Sequence, residues 1–594
     1  MKRKEVDAKY QWNMTDIYAE DSLWEKDYEI LEEEQKKAEN FQGTLAESPK
    51  QLSDFLEFSD AMEERMEKVY IYANQKLHED MALDIYQAMA AKADDIMVKI
   101  SGALAFAEPE ILQMEETTLR NWMEKDAGVR RYEKYLSDLL ERKPHVLETK
   151  MEQLLAQTGT MSSAPKDTFM MFNNADAKFA PAEDENGKKH TVTHGTFTTL
   201  LSSTDRTLRK NAFASMYEEF GSYRNTLAAM FQANVKQDAF YAKVRNYDSS
   251  RQMHLSNSQI PESVYDQLID TVHERMDLMY RYVALRKRAL QLEEVHMYDL
   301  YAPMVADAEI KVTYEEAKQM VKEGLAPMGE EYLSHLQEGF DHGWIDVYEN
   351  EGKRSGAYSW GPYGVHPYVL MNFQGKLNDV FTLAHEMGHA LHSYYSNHAQ
   401  PYHLAGYKIF VAEVASTCNE SLLIHHLLQT TIDKKQRAYF INYFLEQFKG
   451  TLYRQTMFAE FERKVHQMVK DGEALTASNL CQIYYELNQL YFGKDIVIDR
   501  EIEMEWARIP HFYTPFYVYQ YATGFSAAIA LSKNILENGE RAVKDYVQFL
   551  KGGGSKDPIS LLKIAGVDMS KKDPVEKALD VFAELLDDFE ETLS

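Results

Sequence analysis

The sequence predicts a mainly α-helical protein, a large multi-helical body with a small β-sheet element beside one histidine-rich helix. The chain of 594 residues contains only 15 Pro and 27 Gly, whereas the helix-forming residues Glu, Lys, Leu, Met and Ala are abundant. Apolar residues recur at helical spacing over most of the chain, and β-like patterns are confined to two short regions.

The composition excludes several classes of protein. With 65 Lys and Arg against 94 Asp and Glu, the net charge is −29, which repels nucleic acid and anionic membranes as partners. No apolar run is long enough to span a bilayer, and the N-terminus lacks the apolar run of a signal peptide. The two cysteines, Cys418 and Cys481, build no disulfide framework, so we expect a cytoplasmic protein.

Residues 1–200 are the first predicted region. As far as about residue 165 they form successive amphipathic helices, for example SLWEKDYEILEEEQKKAENF, in which apolar residues follow helical spacing. From residue 167 the period changes, and Asn186-Gly187 is a strong turn signal. We therefore expect a β-hairpin near 170–200.

Residues 201–594 are the second predicted region. Helical patterns run from about Ser203 to Leu336, and a second β-like island, rich in glycine and aromatic residues, covers 341–376. Helices then continue to the C-terminus, interrupted by the loop KGGGSKDP. No internal repeat or low-complexity linker separates these parts.

The stretch NDVFTLAHEMGHALHS directly follows this island and behaves as an amphipathic helix. Asn378 or Asp379 is placed to cap its N-terminus. One stripe of the helix is apolar and consists of Val380, Leu383, Met387 and Leu391.

His385 and His389 lie one helical turn apart on another face of this helix, with Cβ atoms about 5–6 Å from each other. Two imidazoles at that spacing can bind one tetrahedral metal ion. Glu386 is placed to reach a water bound to the ion, which completes the H-E-x-x-H arrangement of two ligands and a general base. We therefore predict one zinc ion per chain; the alternative is a pair of ordinary surface histidines.

Glu413 is the predicted third ligand. It lies 24 residues after His389 (413 − 389) in the next strong helical pattern, KIFVAEVASTCNESLLIHHLL. The small residues Ala412, Ala415 and Ser416 would let that helix approach the histidine helix closely. Glu420 is either a carboxylate that orients a ligand histidine or a solvated residue.

His392 shares a stripe with His385 and His389, but it lies about 10.5 Å along the axis from His385. One ion cannot readily bind both, so we expect His392 to support the site or to face the substrate. We expect His398, His403, His425 and His426 to have no role in metal binding.

Three segments, HPYVLMNFQGKLNDVFTLAHEMGHALHS, FVAEVASTCNE and RIPHFYTPFYVYQYATGFSAA, occur in this order. Together they resemble oligoendopeptidase F, in the thimet oligopeptidase and neurolysin superfamily of zinc metallopeptidases. Similarity at YQWNMTDIYAEDSLWEKDYEIL extends the resemblance over nearly the whole chain.

The resemblance implies a two-lobed body that encloses a deep channel, with zinc on its floor, and the cleavage of short peptides within the peptide chain. Residues 201–594 would then be the catalytic region. His385 and His389 match the histidine ligands of the family, Glu413 its glutamate ligand, and Glu386 its general base.

In relatives, a histidine and a tyrosine from the third segment face the active site. His511 matches that histidine, and Tyr521 or Tyr517 is the candidate tyrosine, one helical turn apart, with Tyr519 directed elsewhere. The alternative is that the aromatic run packs in the core. The resemblance further suggests that GVHPYVLMNF, which contains His366, is an exposed strand that pairs with an extended peptide.

These observations predict a zinc-dependent endopeptidase. Glu386 would act as general base, while His511 and a tyrosine, Tyr521 or Tyr517, stabilise the oxyanion. A zinc carboxypeptidase of related helical fold is the first alternative, although no residue is identified that would hold a terminal carboxylate. A peptide-binding protein without catalytic activity is the second.

Overall fold

Helices occupy 72% of the protein, which confirms the prediction of a mainly α-helical fold with few small sheets. The computed structural model describes residues 1–305 and 310–593. In chain order the first α-helices are α1 (Asp21–Ala38), α2 (Pro49–Glu79), α3 (Asp84–Leu104), α4 (Ala107–Gln113), α5 (Glu116–Lys125), α6 (Ala127–Arg130), α7 (Glu133–Arg142), α8 (Thr149–Ser162), α9 (Ala164–Met171), α10 (His194–Leu201), α11 (Arg206–Ser222), α12 (Arg224–Val244), α13 (Ser250–Ser256) and α14 (Glu262–Glu274).

The later α-helices include those that carry the predicted site. They are α15 (Met276–Ala289), α16 (Tyr314–Gly324), α17 (Gly329–Asp341), α18 (Leu377–Ala399), α19 (Tyr402–Ala405), α20 (Ile409–Thr430), α21 (Lys434–Gln447), α22 (Arg454–Lys470), α23 (Ala477–Phe492), α24 (Tyr519–Asn538), α25 (Glu540–Leu550), α26 (Pro558–Ile564) and α27 (Asp573–Leu593). None of the described helices combines the length and apolar character that crossing a bilayer requires.

The chain folds into two compact units, each assembled from three separate stretches. The first unit comprises residues 1–149, 310–423 and 531–566, and the second comprises residues 150–309, 424–530 and 567–594. The predicted regions 1–200 and 201–594 are divisions of the sequence and stay a prediction, as does the channel.

The strands are short. β1 pairs with β2 in antiparallel fashion, β3 pairs with β7 in parallel, and the remaining three strands form one sheet in the order β4-β6-β5. Their bounds are β1 (Ala182–Glu183), β2 (Lys189–His190), β3 (Val295–His296), β4 (Ile345–Asp346), β5 (Tyr358–Trp360), β6 (Tyr368–Leu370) and β7 (Ile496–Val497).

The predicted β-hairpin near 170–200 is present but covers less of the chain than expected. Its strands are β1 and β2, and Gly187 adopts a positive φ of 77° in the turn between them. The flanking segments are helical: α9 runs into a π-helical turn at Phe172–Asp176, and α10 follows the hairpin. Phe169 in α9 is fully buried and stacks on Tyr513, so tertiary packing favours helix there.

The prediction that GVHPYVLMNF forms an exposed edge strand is wrong. Its strand, β6, is the central strand of its sheet, parallel to β4 and antiparallel to β5. All three residues of β6 are fully buried, and neighbouring strands occupy both of its edges. An extended peptide therefore cannot add to β6. The contacts of His366 are structural. Its ring stacks on that of Trp344, with centroids 5.2 Å apart, and its Nε2 forms a hydrogen bond with the Asp16 carboxylate.

The histidine helix α18 lies at the core of the first unit. Its N-cap is Lys376, not Asn378 or Asp379 as predicted. Asp379 contributes from the first turn instead, because its carboxylate accepts the backbone N–H of Lys376 at 2.8 Å. The predicted apolar stripe is confirmed: Val380, Leu383, Met387 and Leu391 are fully buried.

Candidate metal centre

Three potential metal ligands converge in the first unit. The Nε2 atoms of His385 and His389 are 3.2 Å apart. The Oε2 atom of Glu413 lies 3.3 Å from the first nitrogen and 3.4 Å from the second. The H-E-x-x-H spacing thus places both imidazoles on one face of α18, and α20 brings the carboxylate to them.

This triangle of ligand atoms fits a zinc ion. Zinc–nitrogen and zinc–oxygen bonds of about 2.0–2.1 Å at tetrahedral angles separate neighbouring ligand atoms by about 3.3–3.4 Å. The three measured separations, 3.2, 3.3 and 3.4 Å, approximate one face of such a tetrahedron. Within the described residues, one group of potential metal ligands has its ligand atoms within 4.8 Å of one another, and it consists of His385, His389 and Glu413. Two imidazoles and one carboxylate are a typical donor set for catalytic zinc.

The close approach of α18 and α20 depends on a glycine that the sequence analysis did not single out. A Cβ atom on Gly388 would lie 2.5 Å from Cα of Ser416 and 2.8 Å from the carbonyl oxygen of Ala415. Both are backbone-associated atoms that cannot rotate away. Gly388 lies between the two ligand histidines, and a glycine inside a helical pattern is the sequence signal for such a contact. The predicted role of Ala415 and Ser416 as small contact residues agrees with this geometry.

A buried hydrogen-bond chain also joins these helices. The Asn419 side chain in α20 donates to the carbonyl oxygen of Ala384 in α18 at 3.0 Å, and it accepts from the Tyr332 hydroxyl of α17 at 2.8 Å. All three groups are buried, where unpaired polar groups are costly. This chain fixes α20 in register with α18, so Glu413 lies opposite the histidines.

Glu420 bonds directly to a predicted ligand. Its Oε1 accepts a hydrogen bond from Nδ1 of His385, and this contact leaves Nε2 of the same ring directed at the triangle. Carboxylates in this position fix the tautomer and the ring orientation of metal-binding histidines. Of the two interpretations of Glu420, the structure therefore favours the orienting carboxylate.

The cluster is strongly coupled electrostatically. Burial lowers the pKa of His385, but hydrogen bonds to Glu413 and Glu420 outweigh that effect and raise the pKa to about 10. Burial raises the pKa of Glu413, while hydrogen bonds from His385 and His389 hold the pKa of this carboxyl well below its usual range. The carboxylates thus favour positive charge at this site. A bound cation would supply that charge.

Glu386 differs from the other carboxylates of the site. It is 6% exposed, and its Oε2 has no hydrogen-bond partner among the residues that the structure describes. Burial raises the pKa of Glu386 above its ordinary value. A buried carboxyl oxygen without a protein partner, beside three metal-ligand atoms, is suited to bind a reacting water molecule.

The remaining histidines of α18 have other surroundings. His392 is 1% exposed and stacks on Tyr407, with ring centroids 3.8 Å apart, and burial lowers its pKa to about 3. This burial against Tyr407 favours the supporting role over the substrate-facing role, the two roles expected for His392. His398 is exposed and bonds the carbonyl oxygen of Tyr394.

His511, Tyr517 and Tyr521 lie together in the second unit. The centroid of the His511 ring is 6.0 Å from that of Tyr517 and 5.9 Å from that of Tyr521, and the two tyrosine rings are 5.5 Å apart. The Tyr521 hydroxyl lies 3.5 Å from Nε2 of His511. Tyr517 precedes α24, so the two tyrosines meet without sharing a helix, unlike the arrangement predicted.

The neighbouring aromatic residues are buried, which separates two roles within one segment. Tyr513 stacks on Phe169, and Tyr519 packs against Tyr265 with ring centroids 4.9 Å apart. His511 is exposed, whereas Tyr517 and Tyr521 are half-buried. Core packing therefore explains Tyr513 and Tyr519, and it does not explain the three residues that were predicted to act in catalysis.

Comparisons with known proteins match this chain to a family of peptidases. The model of peptidase family M3 matches residues 199–581, and the model described as Oligopeptidase F matches residues 110–179. The chain is 47% identical over 591 residues to oligopeptidase PepF of Bacillus subtilis, covering all of this chain and 88% of that protein. It is 40% identical over 588 residues to group B oligopeptidase PepB of Streptococcus agalactiae, covering 99% and 98% of the two chains.

A solved structure supports the same relationship. The crystal structure of oligoendopeptidase-F from Enterococcus faecium superposes with a TM-score of 0.75 at 39% sequence identity, covering 96% of this chain and 99% of that chain.

We predict that Gly388→Ala weakens metal binding. Because the new Cβ would meet backbone atoms of α20 at 2.5 Å, the helices must separate and the ligand triangle must open. We expect the metal affinity to fall at least about tenfold and the free energy of unfolding to fall by about 1–3 kcal/mol. Metal content after dialysis against a chelator, together with thermal unfolding, measures both effects.

Gly102→Ala is the matched control, because Gly102 lies in α3 of the same unit and an added Cβ there meets nothing within 4 Å. It should leave metal binding unchanged. Equal metal affinity in the two variants would contradict the role of Gly388.

We predict that Glu420→Ala lowers metal affinity by about 10–100-fold, because His385 loses the hydrogen bond that orients its ring. Glu420→Gln should have a smaller effect, since its side-chain carbonyl can still accept from Nδ1. Competition with a chromophoric chelator measures the affinities. The assignment fails if Glu420→Ala binds metal as tightly as the unaltered protein.

Proposed function

The chain belongs to peptidase family M3 and is a metallo-endopeptidase that hydrolyses oligopeptides, and we propose that it does so with zinc held by His385, His389 and Glu413. The observation that carries this proposal is the triangle of ligand atoms with separations of 3.2–3.4 Å, with Glu386 beside it. A zinc ion bound there would lower the pKa of water to about 7 and polarise the substrate carbonyl.

Glu386 is proposed as the general base. Its unpartnered, buried oxygen accepts a proton from the attacking water, and the same carboxyl then delivers that proton to the leaving nitrogen of the peptide bond. Burial raises its pKa, which makes it a stronger proton acceptor than a solvated glutamate. It lies on the same turn of α18 as the proposed ligands His385 and His389.

His511 with Tyr521 or Tyr517 is proposed to stabilise the oxyanion. Attack on the carbonyl carbon moves negative charge to the oxygen, and hydrogen-bond donors aimed at that oxygen lower the barrier. His511 and Tyr521 present an imidazole and a hydroxyl 3.5 Å apart, while Tyr517 packs against both rings. These donors are partly exposed, as groups that meet a substrate must be.

The names of the relatives favour an endopeptidase over both alternatives considered for the sequence. We propose short peptides as substrates, with cleavage inside the peptide. The cytoplasm remains the proposed location; both cysteines are buried and unpaired, as expected in a reducing compartment.

We expect the protein to cleave peptides that are blocked at both ends, and chelation of metal to abolish this cleavage. Glu386→Gln should retain the metal but lower kcat by about 10²–10⁴-fold, because the proton acceptor is lost. Peptides of graded length, digested with and without chelator and analysed by mass spectrometry, give the cut sites. Elemental analysis gives the metal content.

Two outcomes of that experiment would contradict the proposal. If only peptides with a free C-terminus are cut, the enzyme is a carboxypeptidase. If Glu386→Gln cleaves at the rate of the unaltered enzyme, Glu386 is not the general base.

We predict that His511→Ala and Tyr521→Phe each lower kcat by about 10²-fold or more, because each removes a donor to the oxyanion. Zinc content should not change, since neither residue belongs to the ligand triangle. Tyr513→Phe is the matched control, because Tyr513 is buried in the same segment, and its kcat should stay unchanged. If the two variants match the control in steady-state kinetics, the assignment of these donors is wrong.

A further inference from the structure

A turn in the second unit contains Tyr517 and links the two helices that carry His511 and Tyr521. We call residues 514–518 the donor turn; it connects the 3₁₀-helix Pro510–Tyr513 to α24. The aromatic side chains in and beside this turn fall into two environments. Phe512, Phe516 and Tyr519 are buried, whereas His511, Tyr517 and Tyr521 are exposed or half-buried.

Phe516, within the donor turn, has an unusual backbone conformation. Its φ is 55°, in the left-handed region that bulky residues rarely adopt. Such a residue persists only where its surroundings determine its position, and these residues concentrate at functional sites. Its ring packs on His466, with centroids 4.6 Å apart, and on Tyr265, with centroids 5.8 Å apart.

Glu462 is the residue that bonds this strained backbone. It lies on α22, and its Oε1 accepts the backbone N–H of Phe516 at 3.0 Å. The Glu462 side chain is fully buried, and its Oε2 has no hydrogen-bond partner within the described part of the chain. Burial raises the pKa of Glu462 well above its usual range.

A buried carboxyl group with one oxygen unpaired is unfavourable for folding in itself, and an apolar residue would fill the same space with less desolvation. Glu462 accepts the N–H of Phe516, and an apolar residue in the same place could not. Without an acceptor, that N–H would be buried and unpaired in the left-handed conformation, and the turn would relax.

We propose that Glu462 is a positioning residue for catalysis: by accepting the N–H of Phe516 it holds the donor turn so that His511, Tyr517 and Tyr521 keep their mutual arrangement. This inference rests on the proposed function of these three residues. Glu462 touches neither the substrate nor the metal; it acts through Phe516. Displacement of a catalytic group by about 1 Å can lower a rate about 10²-fold.

Glu462→Leu and Glu462→Gln test this role. Leucine removes the acceptor, so we expect kcat to fall between about tenfold and about 100-fold, with KM within about threefold and zinc content unchanged. Glutamine keeps a neutral carbonyl acceptor of the same size, so kcat should stay within about threefold of the unaltered enzyme. Equal losses of kcat in the two variants would overturn the proposal.

Glu460→Gln is the matched control. Glu460 is also buried on α22, but it bonds His273 and Tyr491 and not the donor turn. The kcat of Glu460→Gln, calculated per molecule of zinc-bound enzyme, should equal that of the unaltered enzyme. Normalisation to bound zinc and to the folded fraction from thermal unfolding separates a loss of positioning from a loss of folded protein.

A double-mutant cycle distinguishes positioning from a purely structural role. If Glu462 acts through the donors, Glu462→Leu should lower kcat much less in the Tyr521→Phe variant than in the unaltered enzyme. The reason is that this variant already lacks the Tyr521 hydroxyl, which is one of the donors that Glu462 is proposed to position. Losses that simply add would overturn the proposal.

If Tyr521→Phe and His511→Ala themselves leave kcat unchanged, the proposed oxyanion donors fail. If those two variants lower kcat while Glu462→Leu does not, only the role of Glu462 fails.

Discussion

The contact between α18 and α20 at Gly388 is the constraint on which the metal centre depends. The H-E-x-x-H spacing supplies two imidazoles from one helix, but the third ligand comes from a different helix. Its carboxylate reaches the histidines only because the backbones approach until a single Cβ would overlap Ser416. Small residues on α20 permit that approach, and the buried chain from Tyr332 through Asn419 to Ala384 fixes the register.

The carboxylates around this contact illustrate how surroundings give one residue type different roles. Glu413 is held ionised by two imidazoles, and Glu420 orients one of those imidazoles through its far nitrogen. Glu386 has one oxygen that no described residue bonds, and burial raises its pKa. The same environment that makes Glu386 unfavourable for stability suits it to proton transfer, because a poorly solvated carboxylate is more basic.

A parallel arrangement holds for the aromatic segment of the second unit. Buried rings anchor the segment, while exposed and half-buried rings form the group of His511, Tyr517 and Tyr521. The left-handed backbone at Phe516 and the buried acceptor of Glu462 connect these two sets. In both units, then, a buried polar contact at a backbone position determines where the proposed catalytic side chains lie.

The sequence by itself determined the local features of this protein, because they depend on residues that are near one another along the chain. Periodicity predicted the helices and the apolar stripe of α18, and the four-residue spacing of His385 and His389 placed both imidazoles on one face. The prediction of Glu413 needed also the small residues beside it. Only the tertiary structure decided that β6 is central, that α9 and α10 are helical, and that Glu420 bonds His385. Those outcomes depend on contacts between distant segments, and strand order, backbone clashes and buried hydrogen bonds leave no regular pattern along a single chain.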